Sequence, residues 1–429
     1  VKNGTTAVVF FNGAGSGAVA ANVLSDLQIE GLSTATAGTS NLRLGKNAGD
    51  AIASGGNYNV LIGDEAGTAL TTGDSNVAVG YEALSTEDGN GNNVAVGYRS
   101  LKTQNVGADA LNTAVGYQSG LSITTGGENT LIGGLSGDAL TTGGANIALG
   151  TYSLGSDTLG SNSVAIGQAA LTTQNFTTAT DVYNVAVGHR AGALVTTGQR
   201  NTLLGGVAGD ALNDADDNVA IGTFALSADT LGSRSVAIGK EALAAQNFTT
   251  ATNSNNTAVG AFAGNAVTTG VENTLIGSLT GDSLTDADFN VAVGYAALSA
   301  DTLGSRSTAL GTQALNVQNF ATATNSYNVA VGFQAGQSVS TGQYNTLVGG
   351  LAGDALNTGS NNIAIGLEAL GADTKGSKAV AIGSGALQTQ NFTTATNSYN
   401  VAVGYDAGND ITTGGENTLI GGLSGDALT

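Results

Sequence analysis

Along most of the chain the apolar residues come in runs too short for a helix, and the runs return at a fixed interval. The unit is Asn, Val or Thr, Ala or Leu, another aliphatic residue and Gly, as in "NTAVG" at 112–116 and "NVAVG" at 184–188. Such a run, bounded by Asn and Gly, reads as one short strand, because a helix needs about 10–12 residues between breakers. The second half of a unit, Leu121 to Thr125 before the pair Gly126-Gly127, reads as another strand closed by a turn. One unit is thus expected to be a rung of two strands and two turns.

The closing Gly recurs 22 times, from Gly45 to Gly421. From Gly116 onward the spacings run 17, 17, 17 and 21 and then start again, which sets Gly116, Gly188, Gly260, Gly332 and Gly404 72 residues apart. Self-similarity at a fixed period is the mark of stacked repeats. The expected fold is all-β, a parallel β-roll or β-solenoid of about 22 rungs over residues 41–429, preceded by a junction over residues 1–40. Rungs spaced by about 4.8 Å would make a rod of about 100 Å. The closing Gly suits a turn with positive φ or a close backbone approach. Stacked Asn side chains suit an amide ladder, and Pro, absent from the chain, would remove a ladder bond.

Composition sharpens this picture. The 429 residues include 67 Gly and no Pro, Cys, Met or Trp; 41% are hydrophobic, 10% charged and 5% aromatic. Much of the apolar share is Ala and Val, which suits thin stacked layers better than a deep interior. A thin roll gains little from its few apolar side chains against the entropy of ordering a whole rung. Lateral association is therefore expected, most simply a homotrimer, with the mid-strand Ala114, Ala186 and Ala220 letting faces approach. The lack of Cys excludes disulfides and thiolate metal sites. No apolar run is long enough for a membrane span, and a net charge of −20 disfavours nucleic acid and anionic lipid. The acids are expected on the outside. The chain has no Met and breaks off within a unit at "GGLSGDALT", so it reads as a segment of a longer polypeptide.

The motifs "NSVAIGQAAL" (162–171), "RSVAIGKEAL" (234–243) and "NTAVGYQSG" (112–120) resemble the head repeats of trimeric autotransporter adhesins. They are still more similar to the "NTAVGYQAL" arrays of bacteriophage tail fibres. The resemblance covers about residues 41–429, and the 17- and 21-residue periods depart from the shorter adhesin rung. It implies a trimeric, mechanical fibre in a virion, in contact with other tail or baseplate proteins and with a host glycan or protein. The alternative it implies is the passenger of a trimeric adhesin at a bacterial surface.

Candidate chemistry is sparse. Every fourth rung carries an insertion, "QNFTTATDVYN" at 174–184 and its copies, which places Phe176, Phe248, Phe320 and Phe392 at a 72-residue interval. Each Phe is expected to clamp a neighbouring subunit or to meet a receptor surface; "NFT" is also a glycosylation sequon. Two aspartate series, Asp138, Asp210, Asp282, Asp354 and Asp157, Asp229, Asp301, Asp373, raise the question of calcium. Their glycine offsets differ from the calcium-binding roll, so a solvated acidic face is expected, with no cofactor. "GAGSG" (13–17) lacks the lysine and helix of a phosphate loop. The only histidine, His189, fills a slot held by Tyr117, Ala261, Phe333 and Tyr405 in sister repeats. A base needs fixed partners, and a polysaccharide-cleaving enzyme needs paired carboxylates in a cleft. No enzyme is expected.

Overall fold

The structure, a computed structural model, describes residues 36–428. Twenty-two three-residue strands, from Leu42–Leu44 to Thr418–Ile420, form a single sheet in which every neighbour is parallel and follows in chain order. The register never slips: Thr113, Ala114 and Val115 face Thr130, Leu131 and Ile132, one rung on. The described residues contain no helix. The chain is therefore a parallel β-solenoid of about 22 turns, with the 17/17/17/21 periodicity set by its corner glycines. Residues 36–40, the only described part of the 1–40 junction, already join the stack, since Tyr58 N donates to Thr39 O at 2.9 Å.

Where the sequence suggested two strands per rung, fourteen rungs hold only the three-residue strand and eight add a strand of just two residues. Leu121 to Thr125 is a succession of turns. The backbone around it is left-handed at Gln118 (φ 53°) and Gly120 (φ 61°), which an extended strand cannot accommodate. Rung-to-rung hydrogen bonds continue regardless, with Gly120 N donating to Ser136 O at 3.0 Å and Thr124 N to Thr141 O at 2.9 Å. The backbone is satisfied by stacking even where it is not a strand. The four extra residues of the 21-residue rungs bulge sideways, and a two-residue ladder, Thr180–Asp181 on Gly160–Ser161, ties the bulge down.

The middle residue of each three-residue strand points inward and its two flanks point outward. Ala114, Leu131, Ala148 and Ala165 are fully buried, so the mid-strand alanines, Ala186 and Ala220 among them, line the coil's own interior and offer no face to a partner. The interior follows a four-rung code. Where the mid-strand residue is Leu131, the residue four past the corner is Gly137, whose missing side chain leaves room for the Leu131 methyls. Where it is Ala148, that position holds buried Leu154, forced to φ 52°. Over four rungs the mid-strand residue and the residue four past the corner run Ala114 and Gly120, Leu131 and Gly137, Ala148 and Leu154, Ala165 and Leu171. Leu101 and Leu131 of the neighbouring rungs crowd the space over Gly120, so the core is one continuous apolar cluster.

An asparagine ladder runs beside this core. Asn129 N donates to Asn112 Oδ1 at 2.9 Å, and Asn112 Nδ2 donates to Gly126 O at 2.8 Å. The amides thus pair chiefly with backbone of adjacent rungs. The corner glycine is obligatory for two reasons: Gly133 has φ 141°, and a Cβ there would lie 2.5 Å from Gly150 O.

Candidate functional site

Every fourth rung interrupts the asparagine ladder, putting Ser163, Ser235, Ser307 or Ala379 where the other rungs have Asn. A buried polar cluster fills each gap. In the first full copy, Asp157 Oδ1 accepts from Gly160 N (3.0 Å) and Phe176 N (3.3 Å), and Oδ2 accepts from Gln174 Nε2 (2.6 Å). Gln174 Nε2 also donates to Ser163 Oγ at 3.0 Å, and its Oε1 accepts from Asn184 Nδ2 at 2.9 Å. Gln174 therefore carries the ladder over the missing Asn. The carboxylate–amide pair repeats as Gln246–Asp229 (2.5 Å), Gln318–Asp301 (2.5 Å) and Gln390–Asp373 (2.6 Å). Asp157, Asp229, Asp301 and Asp373 are fully buried, so the solvated face expected for them is corrected. Burial pushes the Asp157 carboxyl above its ordinary value, against the opposing pull of the Gln174 amide and the backbone donors around it.

Sequence reasoning missed the glutamines and misplaced the aspartates. The signal lay in the frame: counted from the corner glycine, Asp157 and Gln174 occupy the slot held by Ile123, Leu140 and Val195, all buried. The other acidic series, Asp138, Asp210, Asp282 and Asp354, is half-buried rather than freely solvated, and desolvation raises each carboxyl. No group of three or more metal-ligating side chains comes together among the described residues.

The four phenylalanines are also buried in their own chain. Phe176, Phe248, Phe320 and Phe392 keep 4–7% of their surface, and the Phe248 ring lies so close over Gly232 that a Cβ there would meet it at 2.8 Å. Each ring plugs the flank of its own rod over the Asp–Gln pair, which leaves no exposed ring to clamp a subunit or meet a receptor. What the insertion exposes is its tip, Thr177, Thr178 and Ala179, together with Asn175, Asp181 and Tyr183. His189 is exposed on a corner, next to the exposed Arg190. The "GAGSG" stretch lies outside the described residues.

Exposed aromatic residues stand along the two corners that flank the strand. Tyr81, Tyr98 and Tyr117 stack at 5.5 and 5.4 Å between centroids, with Arg99 4.9 Å over Tyr98. Glu82 accepts from Lys102 and Arg99, which hold its carboxyl below the ordinary range. On the other corner Arg306 lies over Phe289 at 4.8 Å, and Tyr327 stacks on Tyr344 at 5.7 Å. Near the end of the described coil, Glu368, Gln388, Tyr405, Asp406, Asn409 and Asp426 line an open depression whose lining has no histidine, cysteine or lysine. No helix among the described residues is long and apolar enough to cross a membrane. No protein-family model matches the chain, and no curated protein matches it.

Proposed function

We propose that the chain is the shaft of a bacteriophage tail fibre, a stiff spacer that holds its outward surface along a fixed line. The observation that supports this most is the unbroken register from Leu42 to Ile420. Its integrity rests on backbone bonds and buried rungs, while the outward slot of His189 accepts Tyr117, Ala261, Phe333 or Tyr405 without change of frame. A repeated scaffold with replaceable outer residues carries load and spacing, not chemistry at one rung. On this reading the partners are further copies of the chain, as a homotrimer, other tail or baseplate proteins at the ends, and a host glycan or protein met in passing. The function needs no cofactor.

The test is immunogold electron microscopy with an antibody raised against residues 36–428. Label along fibres projecting from virions supports the proposal. Label on filaments of bacterial cells, with none on virions, replaces it with the adhesin reading.

A further inference from the structure

The outward flanks of the 22 strands form two columns that run the length of the coil, and every position in both is Val, Ile, Leu or Thr. The chain carries a net charge of −20, yet this face carries none. The exposed aromatics of both corners border it: Tyr58, Tyr183 and Tyr344 before the strand, Tyr117, Tyr152 and Phe333 after it. Among the described residues, all but three of the exposed large hydrophobics lie on the strand or these corners, the exceptions being Leu194, Val317 and Leu428. The rod is amphipathic across its width. Soluble monomers rarely expose a contiguous apolar patch larger than a few hundred Å².

We infer that this strand face is the contact between copies of this chain lying side by side along their length. The inference rests on the fibre reading only in needing an extended rod. Three observations select a second copy as the occupant. The first is extent: 22 rungs at about 4.8 Å, three residues wide at about 3.3 Å each, make about 1,000 Å² per chain. That exceeds the roughly 800 Å² per partner of a stable interface. The second is charge: the chain carries −20 overall but none on the two columns, so copies meeting through this face bring no like charges into direct opposition there. The third is period. A coil with the same rise sets a side chain against each rung from end to end, whereas a globular partner would cover a few rungs and leave the rest wet.

The test is sedimentation velocity and electron microscopy on the full 429-residue chain, with two triple variants. Ile166→Arg with Ile276→Arg and Ile365→Arg places charge on the face at three separated rungs, each half-exposed. Leu194→Arg with Val317→Arg and Thr178→Arg places the same charge off the face. The expected result is wild-type and off-face chains sedimenting as bundles of two or more, with the on-face variant at the mass of one chain and an unchanged β circular-dichroism signal. A wild-type chain that sediments as a single rod at micromolar concentration overturns the inference, and with it the homotrimer, while the spacer role in a virion is decided separately by the immunogold label. Bundles that survive the on-face substitutions overturn it too. Should the on-face variant lose its β signal, Ile276→Thr with Ile365→Thr, residues already present in these columns, gives the same reading as a weaker shift in mass.

Discussion

Gln174 donates from Nε2 to Asp157 Oδ2 at 2.6 Å across 17 residues of sequence, with both side chains fully inside the coil. This pair bridges the rung that lacks its asparagine, and it binds three successive layers through Asp157, Gln174 and Asn184. Gln174→Leu would strand a buried carboxyl oxygen, at a cost of about 3 kcal/mol. Adding Asp157→Asn removes the charge while keeping an acceptor for Gly160 N and Phe176 N, so the double variant is expected to be more stable than Gln174→Leu alone. Native-state hydrogen exchange at the amides of Gly160 and Phe176 reads this locally. Additive losses would show that the two side chains are energetically independent.

Adjacent glycines give opposite expectations. At Gly133 the backbone has φ 141° and a Cβ would sit 2.5 Å from Gly150 O, with the carbonyl unable to retreat because it belongs to the next corner. At Gly134 nothing lies within 4 Å of the site of a Cβ. Gly133→Ala is expected to cost at least about 3 kcal/mol from strain and collision together. Gly134→Ala is expected to change stability by less than about 0.5 kcal/mol. Urea unfolding of the two variants checks the contrast, and similar midpoints would refute the tight corner stack.

The period, the parallel stack and the place of the corner glycine are legible in the sequence because backbone geometry enforces them at every rung. The one-strand rung is not legible, since left-handed backbone occurs at Leu154, Glu82 and Arg99, residues whose propensities give no hint of it. Tertiary packing overrides them. Nor does local reading place Asp157: "SDTLG" looks like a polar turn, and only alignment to the corner glycine puts its carboxyl into a column of Ile123 and Leu140. The inward turn of Ala114 was equally hidden, because period-2 alternation over three residues leaves open which side faces the core.

The titration of the buried Asp157 and the half-buried acids sets a pH dependence with a definite sign. Desolvation raises the carboxyls of Asp157, Asp138, Asp210, Asp282 and Asp354 above the ordinary 3.8. A carboxyl raised in this way holds its proton more tightly in the folded coil than in the unfolded chain. Its stabilising contribution is complete below 3.8 and is lost as the pH rises through the raised value. Glu82 and Asp217, lowered by Lys102 and Arg200, act in the opposite sense, but only as the pH falls below their ordinary range. Between neutrality and that range the raised carboxyls take up protons more readily in the folded coil than in the unfolded chain, so acidification stabilises the coil. The melting temperature is expected to climb from about pH 7 to about pH 4.5. Asp282, whose Oδ1 is buried without a hydrogen-bond partner, should supply part of the slope, and Asp282→Asn should flatten it. A melting temperature that falls over this interval would exclude desolvation as the controlling effect.

Phe176 separates a structural plug from a contact residue. Its ring keeps 5% of its surface, its amide donates to Asp157, and its carbonyl accepts from Thr158 Oγ1 at 2.9 Å. Phe176→Ala should therefore open a cavity in the rod's flank, at a cost of about 3 kcal/mol, and admit water to the Asp157–Gln174 pair. The expected readout is faster hydrogen exchange and proteolysis confined to residues 174–184, with bundle mass in sedimentation unchanged. Thr178→Ala, at the exposed tip of the same insertion, should alter neither. If Phe176→Ala instead left local protection intact and dissolved the bundles, the ring would be acting between chains, and the interior placement of the whole Phe series would be wrong.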